Sequence, residues 1–138
     1  MGNTIDMQHM RYINLFEKIT NVNTSHCFKY NRTIIFAIPK KRIPKAIGER
    51  GINVKKLSEI LDKRIRFVVN PEGVENAREF IEGVVNPTSF KDLEIKGEEM
   101  IITAGMQNKA ALIGINRRRF FELQQIVKDY FGKELRII

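Results

Sequence analysis

Two glycines three residues apart, in Gly48-Glu49-Arg50-Gly51, make this segment the best suited in the chain to bind a phosphate. Glycines at both ends let the backbone adopt turn conformations barred to other residues, and they let a sugar-phosphate chain approach without a Cβ in the way. The helix predicted to follow, over Asn53–Leu61, presents free N–H groups and the positive end of its dipole, which stabilise an anion. The predicted chemistry is binding of a nucleic-acid backbone. Two glycines at this spacing also occur in ordinary turns, so the context decides between the two interpretations.

Basic side chains are concentrated in the same stretch. Between residues 40 and 56, seven Lys and Arg residues accompany a single acid, Glu49. The chain carries 24 basic and 16 acidic residues, a formal charge of +8. The excess is local, because residues 1–70 hold 14 basic and 5 acidic residues, whereas residues 71–138 hold 10 and 11. This distribution predicts a polyanionic partner whose binding weakens steeply with salt. A solvated surface kept for solubility is the alternative interpretation.

A set of candidate binding residues surrounds the loop. Three apolar residues, Ile43, Ile47 and Val54, are expected to line a groove for a few unstacked bases, while basic residues flank the backbone path. The binding residues predicted in this half of the chain are Lys45, Ile47, Gly48, Glu49, Arg50, Gly51, Asn53, Val54, Lys55 and Lys56.

Hydrophobic periodicity predicts the elements that position this loop, and their order occurs twice. The first copy is predicted as a helix over 4–20, a hairpin of strands 27–30 and 33–38, helices over 43–47 and 53–61, and a strand over 65–69. The second is predicted as a helix over 74–85, a hairpin of strands 93–95 and 100–104, a short helix over 107–113, a long helix through Phe131 and a strand over 135–138. Gly48 aligns with Gly114, which lies 66 residues further along the chain. The end of the long helix and the strand that follows it align between the copies at a lag of 70 residues. The second long helix should therefore be about one turn longer.

The predicted fold class is α+β, with two αββααβ units that each pack a three-stranded sheet on helices. The domains are predicted at 1–70 and 71–138, and the short connection over 70–73 predicts that they form one rigid unit. A length of 138 residues excludes a large multidomain enzyme. The single cysteine, Cys27, excludes an internal disulfide, and no apolar run reaches the ~18–20 residues of a membrane span. A cytoplasmic protein without a signal peptide is expected.

The succession of helix, GxxG loop and helix, preceded by a hairpin and followed by a strand, resembles the type II KH domain. The resemblance is carried by Ile47-Gly48-Glu49-Arg50-Gly51-Ile52-Asn53-Val54 and by Tyr12-Ile13-Asn14-Leu15-Phe16-Glu17-Lys18 in the first helix. The tandem as a whole resembles the compact two-KH, NusA-like transcription factors of archaea. This resemblance implies that the first loop clamps roughly four nucleotides of single-stranded RNA. It also implies a role in transcription elongation, termination or antitermination on the nascent transcript, with RNA polymerase as a further partner.

The second copy departs from the KH pattern at its loop. Arg117 stands where the last glycine is expected, within Asn116-Arg117-Arg118-Arg119, so close approach of a nucleic-acid backbone should be hindered there. Two alternatives follow: the arginines hold phosphates through their side chains, or the copy is retained for packing. The residues predicted to contact RNA under the first alternative are Gly114, Asn116, Arg117 and Arg118.

Other patterns favour structural interpretations. His26-Cys27 has no metal-ligand spacing around it, so Cys27 is expected to be a buried strand residue. Most of the aromatic residues Phe90, Phe120, Phe121 and Tyr130 are expected in the core, and the glutamates Glu72, Glu75, Glu79 and Glu82 on the solvated face of the helix over 74–85. The sequence contains no catalytic, Walker or dinucleotide-binding motif. We therefore expect that the protein is not an enzyme and that it binds no metal, cofactor or small-molecule substrate.

Two other functions fit the same residues. One is an RNA-binding factor in ribosome assembly, where type II KH modules also occur. The other is a protein module that docks on RNA polymerase through the acidic segment 72–82 or the second copy, with little RNA contact. The docking hypothesis predicts that loss of the loop glycines leaves polymerase binding unchanged.

Overall fold

The computed structural model describes residues 7–24 and 26–138. The elements of the first half are α1 (Met7–Thr20), β1 (Cys27–Tyr30), β2 (Thr33–Ile38), α2 (Ile43–Ile47), α3 (Ile52–Leu61) and β3 (Arg64–Val69). Those of the second half are α4 (Ala77–Val85), β4 (Asp92–Lys96), β5 (Glu99–Thr103), α5 (Met106–Ile113), α6 (Arg118–Phe131) and β6 (Glu134–Ile137). The order αββααβ occurs twice and the fold class is α+β, as predicted.

A three-stranded sheet in the order β1-β2-β3 is the framework of the first half. β-Branched and aromatic residues, which favour a pleated surface, make up most of β2. This strand pairs antiparallel with β1 and parallel with β3, so that Ile34 lies between Lys29 and Ile65. A parallel pair needs a long crossover, and this one contains α2, the segment Gly48–Gly51 and α3. The sheet therefore anchors both ends of the segment that carries the loop.

The core of this half lies between the sheet and its helices. Phe16 of α1 stacks on Phe36 of β2 with ring centroids 4.7 Å apart, and Phe67 of β3 meets both rings edge-on. Ala46 of α2 and Leu57 of α3 are fully buried in the same cluster. Apolar packing therefore holds the two helices that flank the loop.

The second half repeats this architecture with its own side chains. Its sheet has the order β4-β5-β6, with β5 antiparallel to β4 and parallel to β6. Leu112 of α5 and Leu123 of α6 are fully buried, and they align with Ala46 and Leu57 at the lag of 66. Helix α6 has 14 residues and α3 has 10, so the prediction of one extra turn is confirmed.

Contacts within the chain divide it into two compact units between Pro71 and Glu72. The first unit contains α1 to β3, and the second contains α4 to β6. The prediction that the units form one rigid body stays a prediction. No helix in the described ranges is long and apolar enough to cross a membrane.

Periodicity also places Met10, Ile60 and Val74 on the apolar faces of their helices, but all three residues are exposed. Ile60 of α3 is 60% exposed, because it lies about 60° around the helix from the stripe through Leu57 and Leu61. Val74 is 52% exposed, because it lies in a 3-10 turn that precedes α4 and is out of phase with it. The four glutamates expected on the solvated face are all exposed, as predicted: Glu72, Glu75, Glu79 and Glu82.

Candidate functional site

The first loop joins α2 to α3 through backbone conformations that L-residues rarely adopt. Gly48 has φ 78° and ψ 174°, a region essentially confined to glycine. Arg50 (φ 56°, ψ 28°) and Gly51 (φ 71°, ψ 23°) are both left-handed. The Gly51 N–H donates to the Gly48 carbonyl at 3.2 Å, and the Gly48 N–H donates to the Pro44 carbonyl at 3.1 Å. The chain thus turns sharply out of α2 and enters α3 directly after Gly51.

The two glycines differ in their surroundings. A Cβ built at Gly48 would lie 2.9 Å from Asn53 Nδ2 and 3.0 Å from Ile52 Cγ2. The Asn53 amide donates to the Lys45 carbonyl at 3.4 Å and so links the start of α3 to α2. A Cβ built at Gly51 would meet no atom of the described residues within 4 Å, its chain neighbours aside. The backbone angles at Gly48 therefore require glycine, and a Cβ there would also press on Asn53 and Ile52, whereas Gly51 leaves the loop surface open.

The other predicted residues of this half lie around the loop with different exposures. Charged residues on the loop and on the two flanking helices are exposed: Lys45, Glu49, Arg50, Lys55 and Lys56. Ile47, Asn53 and Val54 are partly buried, and Ile43 and Val54 pack against the core cluster. One continuous segment therefore brings together an open backbone turn, exposed cations and partly accessible apolar side chains.

The second loop keeps the same backbone conformation although its second glycine is missing. Gly114 has φ 77° and ψ 172°, Asn116 has φ 55° and ψ 29°, and Arg117 has φ 60° and ψ 22°. These angles closely match those of the aligned residues of the first loop. The Arg117 N–H donates to the Gly114 carbonyl at 3.1 Å, which repeats the bond that closes the first loop. Replacement of the glycine has changed the surface of the turn and not its path.

A side-chain link across each loop is a feature that the sequence did not reveal. Arg119 Nη1 donates to the Ala111 carbonyl at 3.1 Å. At the lag of 66, Arg119 aligns with Asn53 and Ala111 aligns with Lys45, the pair that forms the link in the first loop. A Cβ built at Gly114 would lie 2.8 Å from Arg119 Cγ and 3.1 Å from the Arg119 backbone nitrogen. Arg119 therefore has a structural role, which the alignment of the two copies could have indicated.

Arg117 is held over two aromatic rings. Its Cζ lies 4.8 Å from the ring centroid of Phe120 and 5.4 Å from that of Phe121. Phe120 is partly buried, but Phe121 is 57% exposed, so the expectation that most of these aromatic residues lie in the core does not extend to Phe121. Arg118 is also exposed. The second loop therefore presents cations beside an exposed aromatic ring.

His26 lines an open cleft of about 390 Å³ in the first unit, with Glu17, Thr24 and Asn70 among the other lining residues. Cys27 is partly buried and packs against the core cluster. Within the described ranges, no three His, Cys, Asp or Glu residues are grouped so that they could hold a metal ion. Partial burial lowers the pKa of His26 below its ordinary value of 6.5.

This shift predicts a pH dependence of stability. Between the folded and unfolded pKa values of His26 the unfolded chain binds more protons, so the free energy of unfolding rises with pH there. The stabilisation is complete above pH 6.5 and decreases as the pH falls below that value. The free energy of unfolding, measured by urea denaturation between about pH 5 and 8, should therefore fall more steeply with decreasing pH for the wild type than for His26→Asn. Parallel pH profiles would show that another group is responsible.

The fold and the loops together define the class of protein: two α+β units of αββααβ order, each with a glycine-initiated turn between its two central helices, as in tandem KH-like proteins. The solved crystal structure of APE1850 has the same fold, with a TM-score of 0.67 at 23% identity over 97% of this chain and 100% of that chain. Comparison with protein-family models finds no match.

The particular relatives are archaeal. A protein named "Probable transcription termination protein NusA" from Methanococcus vannielii is 29% identical over 100 residues, which are 71% of this chain and 56% of that protein. A protein of the same name from Halococcus morrhuae is 31% identical over 72 residues, which are 52% of each chain. This chain spans about half the length of the curated relatives it matches. The predicted resemblance to archaeal NusA-like proteins is thereby confirmed.

Proposed function

We propose that this protein binds single-stranded RNA through the first loop, without catalysing a reaction. The observation that carries the proposal is the open surface at Gly51, where an added Cβ would meet no described atom within 4 Å, at the start of a helix and among exposed cations. A phosphate can approach the backbone there, and the helix dipole and basic side chains stabilise its charge. Shape and charge thus favour the same ligand.

The chemistry of the segment gives each residue a role. Gly48 and Asn53 fix the turn, since the backbone angles at Gly48 are essentially confined to glycine and the Asn53 amide donates across to the Lys45 carbonyl of α2. Lys45, Arg50, Lys55 and Lys56 contact phosphates, and Glu49 lies among them on the exposed turn. Ile47 and Val54, which are partly buried, offer an apolar surface to unstacked bases. A few bases and their backbone therefore find complementary surfaces within one segment.

The names of the archaeal relatives support the biological role. Both are called probable transcription termination proteins, and this chain resembles them over 52–71% of its length. We infer that the RNA is nascent transcript and that the protein acts in elongation, termination or antitermination, in the cytoplasm and in contact with RNA polymerase. No cofactor or membrane takes part in this proposal.

Three exposed lysines beside the loop test the proposal. Replacing Lys45, Lys55 and Lys56 with Gln should weaken binding of single-stranded RNA by about 10-fold or more at low salt. Because each lost phosphate contact lowers the salt slope by about 0.7 for a single strand, the slope should fall by up to about 2. Fluorescence anisotropy at several salt concentrations, with a duplex of equal length as competitor, measures both quantities.

The matched control removes the same charge elsewhere in the unit. Lys18, Lys29 and Lys63 are exposed and lie outside the loop and its two helices, so their replacement with Gln should lower RNA affinity much less. Equal effects of the two triple variants would mean that general charge and not the loop binds RNA. An unaffected RNA affinity in the first triple variant would favour the polymerase-docking hypothesis. A separate experiment identifies the RNA that copurifies with the wild-type protein, and ribosomal precursors in that RNA would favour the hypothesis of ribosome assembly.

A further inference from the structure

We propose that the second loop binds an unpaired RNA base on a stacking platform made by Arg117 and Phe121. This inference rests on the proposed function, but it concerns different atoms and a different kind of contact. In the first loop the ligand approaches bare backbone. In the second, the side chain of Arg117 occupies the position of the open glycine.

The geometry of the loop makes the platform possible. Because the turn has the path of the first loop, the residue aligned with Gly51 projects its side chain outward from the start of α6. The guanidinium carbon of Arg117 then lies within 5.4 Å of the ring centroids of Phe120 and Phe121. An arginine held by aromatic rings loses less conformational entropy when it binds a ligand than a free one does.

The exposure of Phe121 points to a ligand with a flat apolar face. Its ring is 57% exposed and lies one turn after Arg117, so the two planar groups share one face of the helix start. Unpaired bases stack on aromatic rings and on guanidinium planes, and such stacking tolerates any base. Arg118, which is also exposed, supplies a cation for an adjacent phosphate.

Charge argues for RNA and against an apolar protein partner. Three successive arginines stand at the start of α6, with Arg117 at its N-cap and residues 118 and 119 as its first two residues, where the helix dipole is also positive. Comparison of the copies shows an exchange of parts: the second carries Arg117 and Phe121 where the first carries Gly51 and Lys55. The first loop thus offers an open backbone and a cation, and the second offers a cation and a stacking surface. A nucleotide, with its phosphate and its flat base, can bind to either pair.

The absence of tryptophan from the sequence provides a direct test. The Phe121→Trp protein carries one indole at the platform, and Met106→Trp carries one at a 97% exposed position of the same unit. Titration with an oligoadenylate of about 16 nucleotides should quench the fluorescence of the first protein and leave the second nearly unchanged. Equal quenching of both, or of neither, while anisotropy shows RNA binding, would overturn the inference and leave the proposed function intact.

Affinity measurements on conservative variants provide the second test. Phe121→Leu keeps the apolar bulk but removes the aromatic face, so RNA affinity should fall roughly 5- to 100-fold, whereas Phe121→Tyr should bind like the wild type. Met106→Ala is the matched exposed control and should bind normally. Circular dichroism and urea midpoints establish that each variant is folded. Wild-type affinity of Phe121→Leu would overturn the inference, and absence of any RNA binding by the wild type would overturn the proposed function together with it.

Discussion

Aspartate at two positions of the first loop, Arg50→Asp with Gly51→Asp, is expected to lower the affinity for single-stranded RNA by about 100-fold. Both positions have left-handed backbone angles, which Asp and Asn adopt more readily than other residues, so the turn should keep its path. The new carboxylates would face the phosphates that the loop is proposed to bind. Like charges a few ångströms apart at a protein surface repel by a few kcal/mol, which corresponds to a factor of this size.

The neutral pair Arg50→Asn with Gly51→Asn is the matched control. It has the same shape and the same left-handed tolerance, and it removes one positive charge without adding a negative one. We expect a loss of about 10-fold or less, measured by anisotropy at one fixed salt concentration. If the two pairs bind RNA equally well, the phosphates do not approach this turn, and the loop has a structural role only.

Alanine at the first glycine of the second loop should have the largest effect on stability. Gly114→Ala places a Cβ 2.8 Å from Arg119 Cγ and 3.1 Å from the backbone nitrogen of the same residue, in a φ, ψ region nearly exclusive to glycine. Backbone strain and overpacking each cost roughly 1–3 kcal/mol. We expect the free energy of unfolding to fall by about 3 kcal/mol in urea denaturation.

Another glycine of the same unit measures the cost of alanine at an ordinary left-handed position without steric conflict. Gly132 follows α6 with φ 66° and ψ 29°, and a Cβ built there would meet no described atom within 4 Å beyond its chain neighbours. Gly132→Ala should therefore cost only about 1 kcal/mol. A similar loss in both variants would show that neither the glycine-only backbone angles of Gly114 nor its close packing against Arg119 adds to the cost of an ordinary left-handed position.

Periodicity predicted the fold well because each element has a simple relation to the core. Apolar residues at helical and alternating spacings correctly predicted the order of the twelve α-helices and strands in the described ranges. The change of lag between the two copies, from 66 to 70 residues, predicted the longer second helix. The prediction of burial was wrong where the angular position of a residue around its helix decides whether its side chain is buried. Ile60 lies just beside the buried stripe of α3, and Val74 belongs to a 3-10 turn, so a count of apolar residues could not place them.

The candidate site was less predictable than the fold. The first loop is visible in the sequence because glycine is the residue that such a turn requires. At the second loop, the sequence predicted only that Arg117 would hinder close approach of a nucleic-acid backbone. It did not indicate that the turn keeps its path, because arginine seldom adopts the left-handed angles found there. The contact between Arg117 and two aromatic rings depends on side-chain rotamers, which spacing along the chain does not specify.

Each loop lies inside the crossover between two strands that pair in parallel, and this position has a consequence for synthesis of the protein. The central strand β2 lacks its second partner until β3 has left the ribosome, because Ile34 pairs with Ile65 on the far side of the loop. Local hairpins close early, whereas such non-local pairs form late. The sheet that anchors both ends of the first loop is therefore complete only after β3 has emerged from the ribosome.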